Sequence, residues 1–593
     1  MKDACVGAII GLMICQLAQA TERMSLWPAG RIPDFQTHQV GATTEVLWSK
    51  GFKASEHRMP YLEWFDPPEA RKRNGGCMIL ISGGGYVYCS DMALVRVLAG
   101  HFTQLGYQCA SLTYRTPRPK GLPYYQSAWE DGQRAVRLVR SEAKKRGYDP
   151  ERIGVAGMSA GAHLTMLLAL NSQTRSYARV DEIDDYACHV NWAFPWATPY
   201  VLTDGPGCEN ARGGDAIDVH LDPVLKFDAK SCPMCLFHGG EDLYSPIGTT
   251  RVYRELRKRK IPAEVHIYPE RGHLFWGDRR KGSGSDKCWA RMNEFLRQLN
   301  FDGELGRETP LSERLLLDSD RASCCGETLW PAGKMPDSQP HLGTPAIEWS
   351  LPKTLKTSAV QIVCAGNASA TNATDRMIAT KARRYFNSRG MAVVTLLYRS
   401  PTPRNGLARY TVAWQDLQRA VRVVRSKAKE HSLDPGRIGV FGVATGGHLA
   451  LLGALSSLQR TYNPVDDIDK LPCNVQWSVA YSPSDVLAGD GNNDAVADCN
   501  DPSLRPTAEL NFDLKSCPVL FVHGDADSHA ATGSVKCWEQ LRKIGLQGEL
   551  HTLALRKGDF MMSAAPNTGS WSWLDRAWEF FVHYDIDRDR VDL

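Results

Sequence analysis

Unbroken apolar runs alternate along this chain with segments whose apolar positions recur every three or four residues, and the alternation predicts a parallel sheet flanked by helices. Cys77-Met78-Ile79-Leu80-Ile81 reads as a strand buried on both faces and stopped by Ser82-Gly83-Gly84-Gly85. Tyr107 to Tyr114 is the next strand. From Trp129 to Lys145 the apolar positions Ala135, Val136, Val139 and Ala143 form one helical face. Asp149-Pro150 opens the next crossing, and the strand Ile153 to Ala156 runs into Gly157-Met158-Ser159-Ala160-Gly161 and an apolar helix, Ala162 to Leu170. Further strands are expected at Met234 to Phe237 and at Ala263 to Tyr268.

The same pattern then returns. Leu26-Trp27-Pro28-Ala29-Gly30 recurs as Leu329-Trp330-Pro331-Ala332-Gly333, and Tyr114-Arg115-Thr116-Pro117 recurs as Tyr398-Arg399-Ser400-Pro401. Residues 128–170 align without gaps to 413–455, a shift of 285, with 26 of 43 positions identical. A period of that length is a domain rather than a solenoid repeat. The expectation is two homologous α/β domains, residues 21–302 and 327–593, joined by a polar linker at 303–326, each a mostly parallel twisted sheet with helices on both faces.

Composition narrows the classes of function. The formal charge of +4 over 593 residues carries no basic excess of the kind a nucleic-acid partner requires. No apolar run reaches the roughly 18 residues of a spanning helix. The opening segment has Lys2, an apolar stretch from Val6 to Cys15 and Ala18-Gln19-Ala20, the marks of a secretory signal over residues 1–20. A secreted or periplasmic location follows as an expectation. Of the 17 cysteines, Cys5 and Cys15 would leave with that signal, and the odd remainder leaves at least one unpaired. Cys232-Pro233-Met234-Cys235 opens a strand instead of a helix and has no second pair, so it reads as buried structure and not as a redox or zinc motif.

The chemistry lies in the first repeat. G-x-S-x-G between a strand and a helix is a nucleophile elbow, whose turn is so sharp that side chains at the glycine positions would collide. Ser159 is the nucleophile, and the helix behind it favours developing negative charge. In the chain order Ser, Asp, His, the partners are Asp242, after the strand ending at Phe237, and His273, after the strand ending at Tyr268. Glu241 is the rival acid, while His266 lies within a strand. Gly84, Gly85 and Ala160 offer backbone N–H groups for an oxyanion. His163, matched by His448 in the second repeat, reads as a packing residue. Tyr86 and Trp276 are candidate sugar contacts; Trp192 and Trp196 could also stack on sugar, although core packing is the default for rings of that size. Asn367-Ala368-Ser369 and Asn372-Ala373-Thr374 match glycosylation sequons.

These motifs resemble α/β-hydrolase esterases of the acetyl-xylan and feruloyl esterase type over nearly the whole chain after residue 20. The resemblance rests on Leu-Trp-Pro-Ala-Gly, the Gly-Gly-Gly-Tyr loop, the helix Trp129 to Ala135, Asp149-Pro150 and Gly157 to His163. Ser82 departs from the proline usual before the triple glycine. The resemblance implies a serine carboxylesterase acting on an acylated carbohydrate or small ester, with neither cofactor nor metal. A serine peptidase of the prolyl-oligopeptidase type uses the same triad order, and a non-catalytic carbohydrate-binding scaffold is the reading from another class. In the second repeat the elbow becomes Gly442-Val443-Ala444-Thr445-Gly446, Asp242 maps to Asp527, and Gly272-His273 maps to Gly558-Asp559. Ser82 to Gly85 aligns with Cys364 to Asn367. That half is expected to do no chemistry by this route.

Overall fold

The computed structural model describes residues 20–35, 43–47, 53–57, 59–90, 92–203, 220–269, 272–273, 285–301, 324–364, 373–400, 402–404, 406–488, 504–524, 531–554 and 573–589. The expected signal segment up to residue 19 and nearly all of the expected linker lie outside them. By its contacts the chain divides into two units. The first comprises Met1–Glu264, Gly272–Leu274 and Phe295–Gly306; the second comprises Val265–Arg271, Phe275–Glu294 and Arg307–Leu593.

In the first unit the strands of the main sheet are β1 (Glu22–Ser25), β2 (Tyr61–Phe65), β3 (Cys77–Ile81), β4 (Gln108–Thr113), β5 (Ile153–Met158), β6 (Trp192–Trp196) and β7 (Met234–Gly239), and Thr43–Leu47, Lys53–His57 and Cys89–Ser90 form a small separate sheet. Their order across the sheet is β1-β2-β4-β3-β5-β6-β7. The two outer pairings, β1 with β2 and β2 with β4, are antiparallel, and the remaining five strands run parallel. Every residue of β3 is buried, as its apolar run requires of a strand covered on both faces. The helices include α1 (Met92–Gln104), α2 (Gln126–Arg146), α3 (Ala160–Leu170) and α4 (Ile247–Lys258). Helix α2 begins three residues before the expected start. It ends at Gly147, whose φ of 75° lets its N–H close on the Ala143 carbonyl. All of α3 is buried, which fits a helix apolar on every side.

The repeated Leu-Trp-Pro-Ala-Gly and Tyr-Arg motifs meet in a buried polar knot. The Trp27 indole donates to Asp131 at 2.7 Å, and Arg115 binds both Asp131 and Glu130. Arg134 reaches from the same helix to Asp181 and Asp184. Burial pushes the Glu130 carboxyl up to about 7 against the pull of Arg115. The second unit repeats the arrangement, with Trp330 donating to Asp416 at 2.7 Å, Arg399 on Asp416, and Arg419 on Asp466 and Asp469. There Gln415 stands in place of Glu130 and accepts from Arg399 at 3.0 Å. Removing one partner would strand a buried charge at a cost of about 3–5 kcal/mol, which accounts for the presence of these residues in both halves.

After β7 the chain forms β8 (Ala263–Tyr268), as expected. The second unit then continues with β9 (Cys324–Thr328), β10 (Ala346–Ser350), β11 (Val360–Cys364), β12 (Ala392–Leu397), β13 (Ile438–Val443), β14 (Trp477–Tyr481), β15 (Val519–Gly524) and β16 (Gly548–Leu553). The order β9-β10-β12-β11-β13-β14-β15-β16 repeats that of the first unit and adds one strand. Within this unit His266 and Ile267 lie antiparallel to His551 and Leu550. Its helices α5 (Thr411–Lys427) and α6 (Thr445–Leu455) correspond to α2 and α3.

Since His266 and Ile267 pair with His551 and Leu550, and Arg291 with Glu579, a chain ending at Glu313 loses these partners. Such a chain is expected to melt below the full-length protein by about 5 °C or more, as circular dichroism would record. Equal melting temperatures would contradict the division.

Candidate active site

The elbow follows from its glycines. A Cβ on Gly157 would lie 2.3 Å from the Gly161 carbonyl oxygen, and one on Gly161 would lie 2.4 Å from that of Ser82. The turn therefore closes only with glycine at both ends. Between them Ser159 holds φ 55° and ψ −127°, a strained conformation for a residue with a side chain. β5 delivers the serine to the carboxyl edge of the sheet, where α/β proteins collect their ligands. α3 begins at the next residue, Ala160, with its N-terminus at the serine.

Ser159, Asp242 and His273 are brought together. His273 Nε2 lies 2.8 Å from Ser159 Oγ, and its Nδ1 lies 2.9 and 3.0 Å from the two oxygens of Asp242. Asp242 is buried and bonded to His273, whereas the neighbouring Glu241 is exposed. Two further donors reach the Asp242 carboxylate: the Tyr244 N–H at 3.0 Å, and His238 Nε2 at 3.2 Å. Burial alone would raise the Asp242 carboxyl, but hydrogen bonds from His238 and His273 outweigh it and hold the group well below the usual carboxylate range. His238 is itself oriented, with Nδ1 2.6 Å from Thr249 Oγ1 on α4. Its role was not read from sequence; the signal was its spacing of four from Asp242 at a strand end.

The Gly83-Gly84-Gly85 loop follows β3 and packs against the elbow: a Cβ on Gly83 would meet Ser159 Cβ at 3.0 Å. Gly84 and Gly85 have φ of 126° and 63°. Their N–H groups make no backbone hydrogen bond among the described residues, and Ala160 opens its helix without a preceding carbonyl to bond.

The expected sugar contacts need correction. Tyr86 is 1% exposed, and its hydroxyl sits 2.8 Å from His163 Nδ1, so it backs the loop instead of offering a face to substrate. Trp192 and Trp196 are core residues, at 0% and 1% exposure. Trp276 lies outside the described residues. The aromatic groups beside the triad are ones the sequence did not single out: Tyr244, with its ring 5.0 Å from His273, and Tyr200, 5.7 Å from Tyr244. His163 is wholly buried, and burial lowers it to about 3, in keeping with a packing role. Cys232 and Cys235 are both buried thiols outside any disulfide among the described residues, with Cys232 pushed up by desolvation and Cys235 Sγ donating to Glu264 at 3.6 Å.

In the second unit Ala444 keeps the elbow backbone, at φ 50° and ψ −116°. The sheet register corrects one correspondence. Ile81 lies opposite Gly157 and Cys364 opposite Gly442, so Cys364 replaces Ile81, not Ser82. Gly366-Asn367-Ala368 then align with the triple glycine; they, the asparagines of both sequons, Asp527 and Asp559 lie outside the described residues. Among the described residues no helix is long and apolar enough to cross a membrane.

The BD-FAE family model matches residues 65–216 and again 349–505, together just over half of the chain, and the dienelactone hydrolase family model matches residues 220–300. Endo-1,4-beta-xylanase B of Butyrivibrio fibrisolvens is 25% identical over 255 residues, covering 41% of this chain and 39% of that protein. Esterase LipQ of Mycobacterium tuberculosis is 27% identical over 260 residues, covering 40% and 57%. The acetylxylan esterase of Xylanibacter ruminicola is 22% identical over 266 residues, covering 43% and 50%. The chain thus spans between about two fifths and three fifths of the length of these relatives. The solved structure of a thermophilic esterase from Thermogutta terrifontis, Est2 with butyrate bound, superposes with a TM-score of 0.36 and 21% identity, over 45% of this chain and 97% of that one. Matched in both halves and over more than half its length, the chain belongs to the BD-FAE family.

Proposed function

We propose that this protein is a secreted serine carboxylesterase that removes acyl groups from polysaccharide or oligosaccharide, with acetylated xylan as the leading substrate class. The observation that carries the reading is the hydrogen-bonded line from Ser159 Oγ through His273 to Asp242. Ser159 Oγ attacks the acyl carbonyl while His273 Nε2 takes its proton, and Asp242 stabilises the resulting imidazolium. The N–H groups of Gly84, Gly85 and Ala160 receive the oxyanion. The tetrahedral intermediate collapses with loss of the sugar alkoxide, which takes the proton from His273. Water, deprotonated by the same imidazole, then releases the acid and restores the serine.

Membership of the BD-FAE family and the names of relatives support the substrate class. The second unit is proposed to do no chemistry, since Ala444 has no oxygen to attack with. Acetyl, feruloyl and longer acyl esters of xylo-oligosaccharides, followed by release of the free acid, test the assignment. Turnover of at least one of these esters is expected, with no cleavage of prolyl peptide amides. The reverse result would transfer the protein to the peptidase reading.

A further inference from the structure

Next to the triple-glycine loop stands a cation with no anion among the described residues. Arg118 is half-buried, donates from Nε to the Gly85 carbonyl at 3.0 Å and from Nη2 to the Tyr200 hydroxyl at 3.0 Å. Its guanidinium carbon lies 5.2 Å from the Tyr124 ring centre and 5.7 Å from that of Tyr200. No carboxylate pairs with it among the described residues. Tyr200 leads on to Tyr244, and Tyr244 to His273, so the guanidinium belongs to the same wall as the catalytic base. Neutral oxygens and ring faces offset only part of the cost of desolvating a guanidinium.

The second unit shows what the same position looks like when closed. There Thr402 follows the proline where Arg118 stands, and Arg409 and Asp485 take the places of Tyr124 and Tyr200. Asp485 keeps the unusual backbone of Tyr200, with φ of 59° against 62°. Arg409 and Asp485 form an ion pair with each other. The half with alanine at the elbow neutralises its cation internally, whereas in the half with Ser159 no described carboxylate pairs with Arg118.

We infer that Arg118 recognises a carboxylate carried by the substrate, so that the preferred ester belongs to an acidic saccharide or bears an acidic acyl group. A planar guanidinium held by two fixed hydrogen bonds suits a carboxylate in one orientation. This inference rests on the esterase reading and narrows its substrate.

The test uses the full chain and two pairs of esters. One pair shares a p-nitrophenyl leaving group and compares butyrate with hemisuccinate. The other compares an acetylated methyl xyloside with an acetylated methyl glucuronoside. The quantity read is the ratio of kcat/KM for the anionic over the neutral member. In at least one pair Arg118→Gln is expected to lower that ratio about ten- to a hundredfold, chiefly through KM, and Arg118→Lys to restore part of it. The responding pair identifies whether the carboxylate lies on the acyl group or on the sugar. In the unmutated enzyme the same ratio should fall as salt rises from about 0.05 to about 0.5 M, a readout independent of how the variants fold. Ratios unchanged by both substitution and salt would overturn the inference and leave Arg118 as a holder of the Gly85 loop. No turnover of any of the four esters by the unmutated chain would instead overturn the esterase reading itself, and turnover that persists in Ser159→Ala would overturn its serine mechanism.

Discussion

Ser159→Ala is expected to lower ester turnover by about a million-fold, to the rate that binding and the oxyanion donors alone sustain. The expectation follows from the placement of one atom, Ser159 Oγ, 2.8 Å from His273 Nε2. Alanine also fits the elbow without a new clash, because Ala444 already occupies the matching backbone at φ 50°. The loss would thus be chemical and not a failure to fold. A fluorophosphonate should label one residue per chain in the unmutated protein and none in the variant, as read by peptide mass mapping. Labelling in the second half would defeat the single-site proposal.

The next largest effects fall on the other two members. His273→Ala is expected to approach the Ser159→Ala floor. Asp242→Asn should retain slightly more, with turnover down about 10⁴-fold, since an amide can hold the ring but favours the wrong tautomer. Asp242 receives hydrogen bonds from two histidines and a backbone N–H. An asparagine there cannot accept all of them at both oxygens. Equal melting temperatures of the purified variants, measured beside kcat, would separate this effect from instability. Near-normal kcat in Asp242→Asn would reassign the acid.

The parts of the site legible in sequence were those that a backbone pattern marks. Gly157 and Gly161 announce the elbow because no Cβ fits, and Asp242 and His273 stand at strand ends recognisable from apolar runs. The internal repeat helped to separate framework from chemistry, since the Trp27–Asp131 and Trp330–Asp416 bonds recur where the nucleophile does not. What sequence left hidden depends on the directions of side chains. Tyr86 looked available because it follows the glycines, yet its hydroxyl turns inward to His163. Arg118, Tyr200 and Tyr244 lie far apart in the chain, and no periodicity relates them. The correspondence of Cys364 also needed the sheet, because one residue of slip is invisible in a loop whose identities have been lost.

The chain's path around His273 bears on how this gene can change. Gly272–Leu274 belong to the first unit, while the residues on either side, Val265–Arg271 and Phe275–Glu294, belong to the second. In sequence His273 therefore lies between two stretches whose described residues pair within the second unit, His266 and Ile267 with His551 and Leu550, and Arg291 with Glu579. A stop codon after the first repeat would keep Ser159, Asp242 and His273 in the chain and remove those partners. The second repeat is thus tied to the first by pairings that do not depend on any reaction of its own.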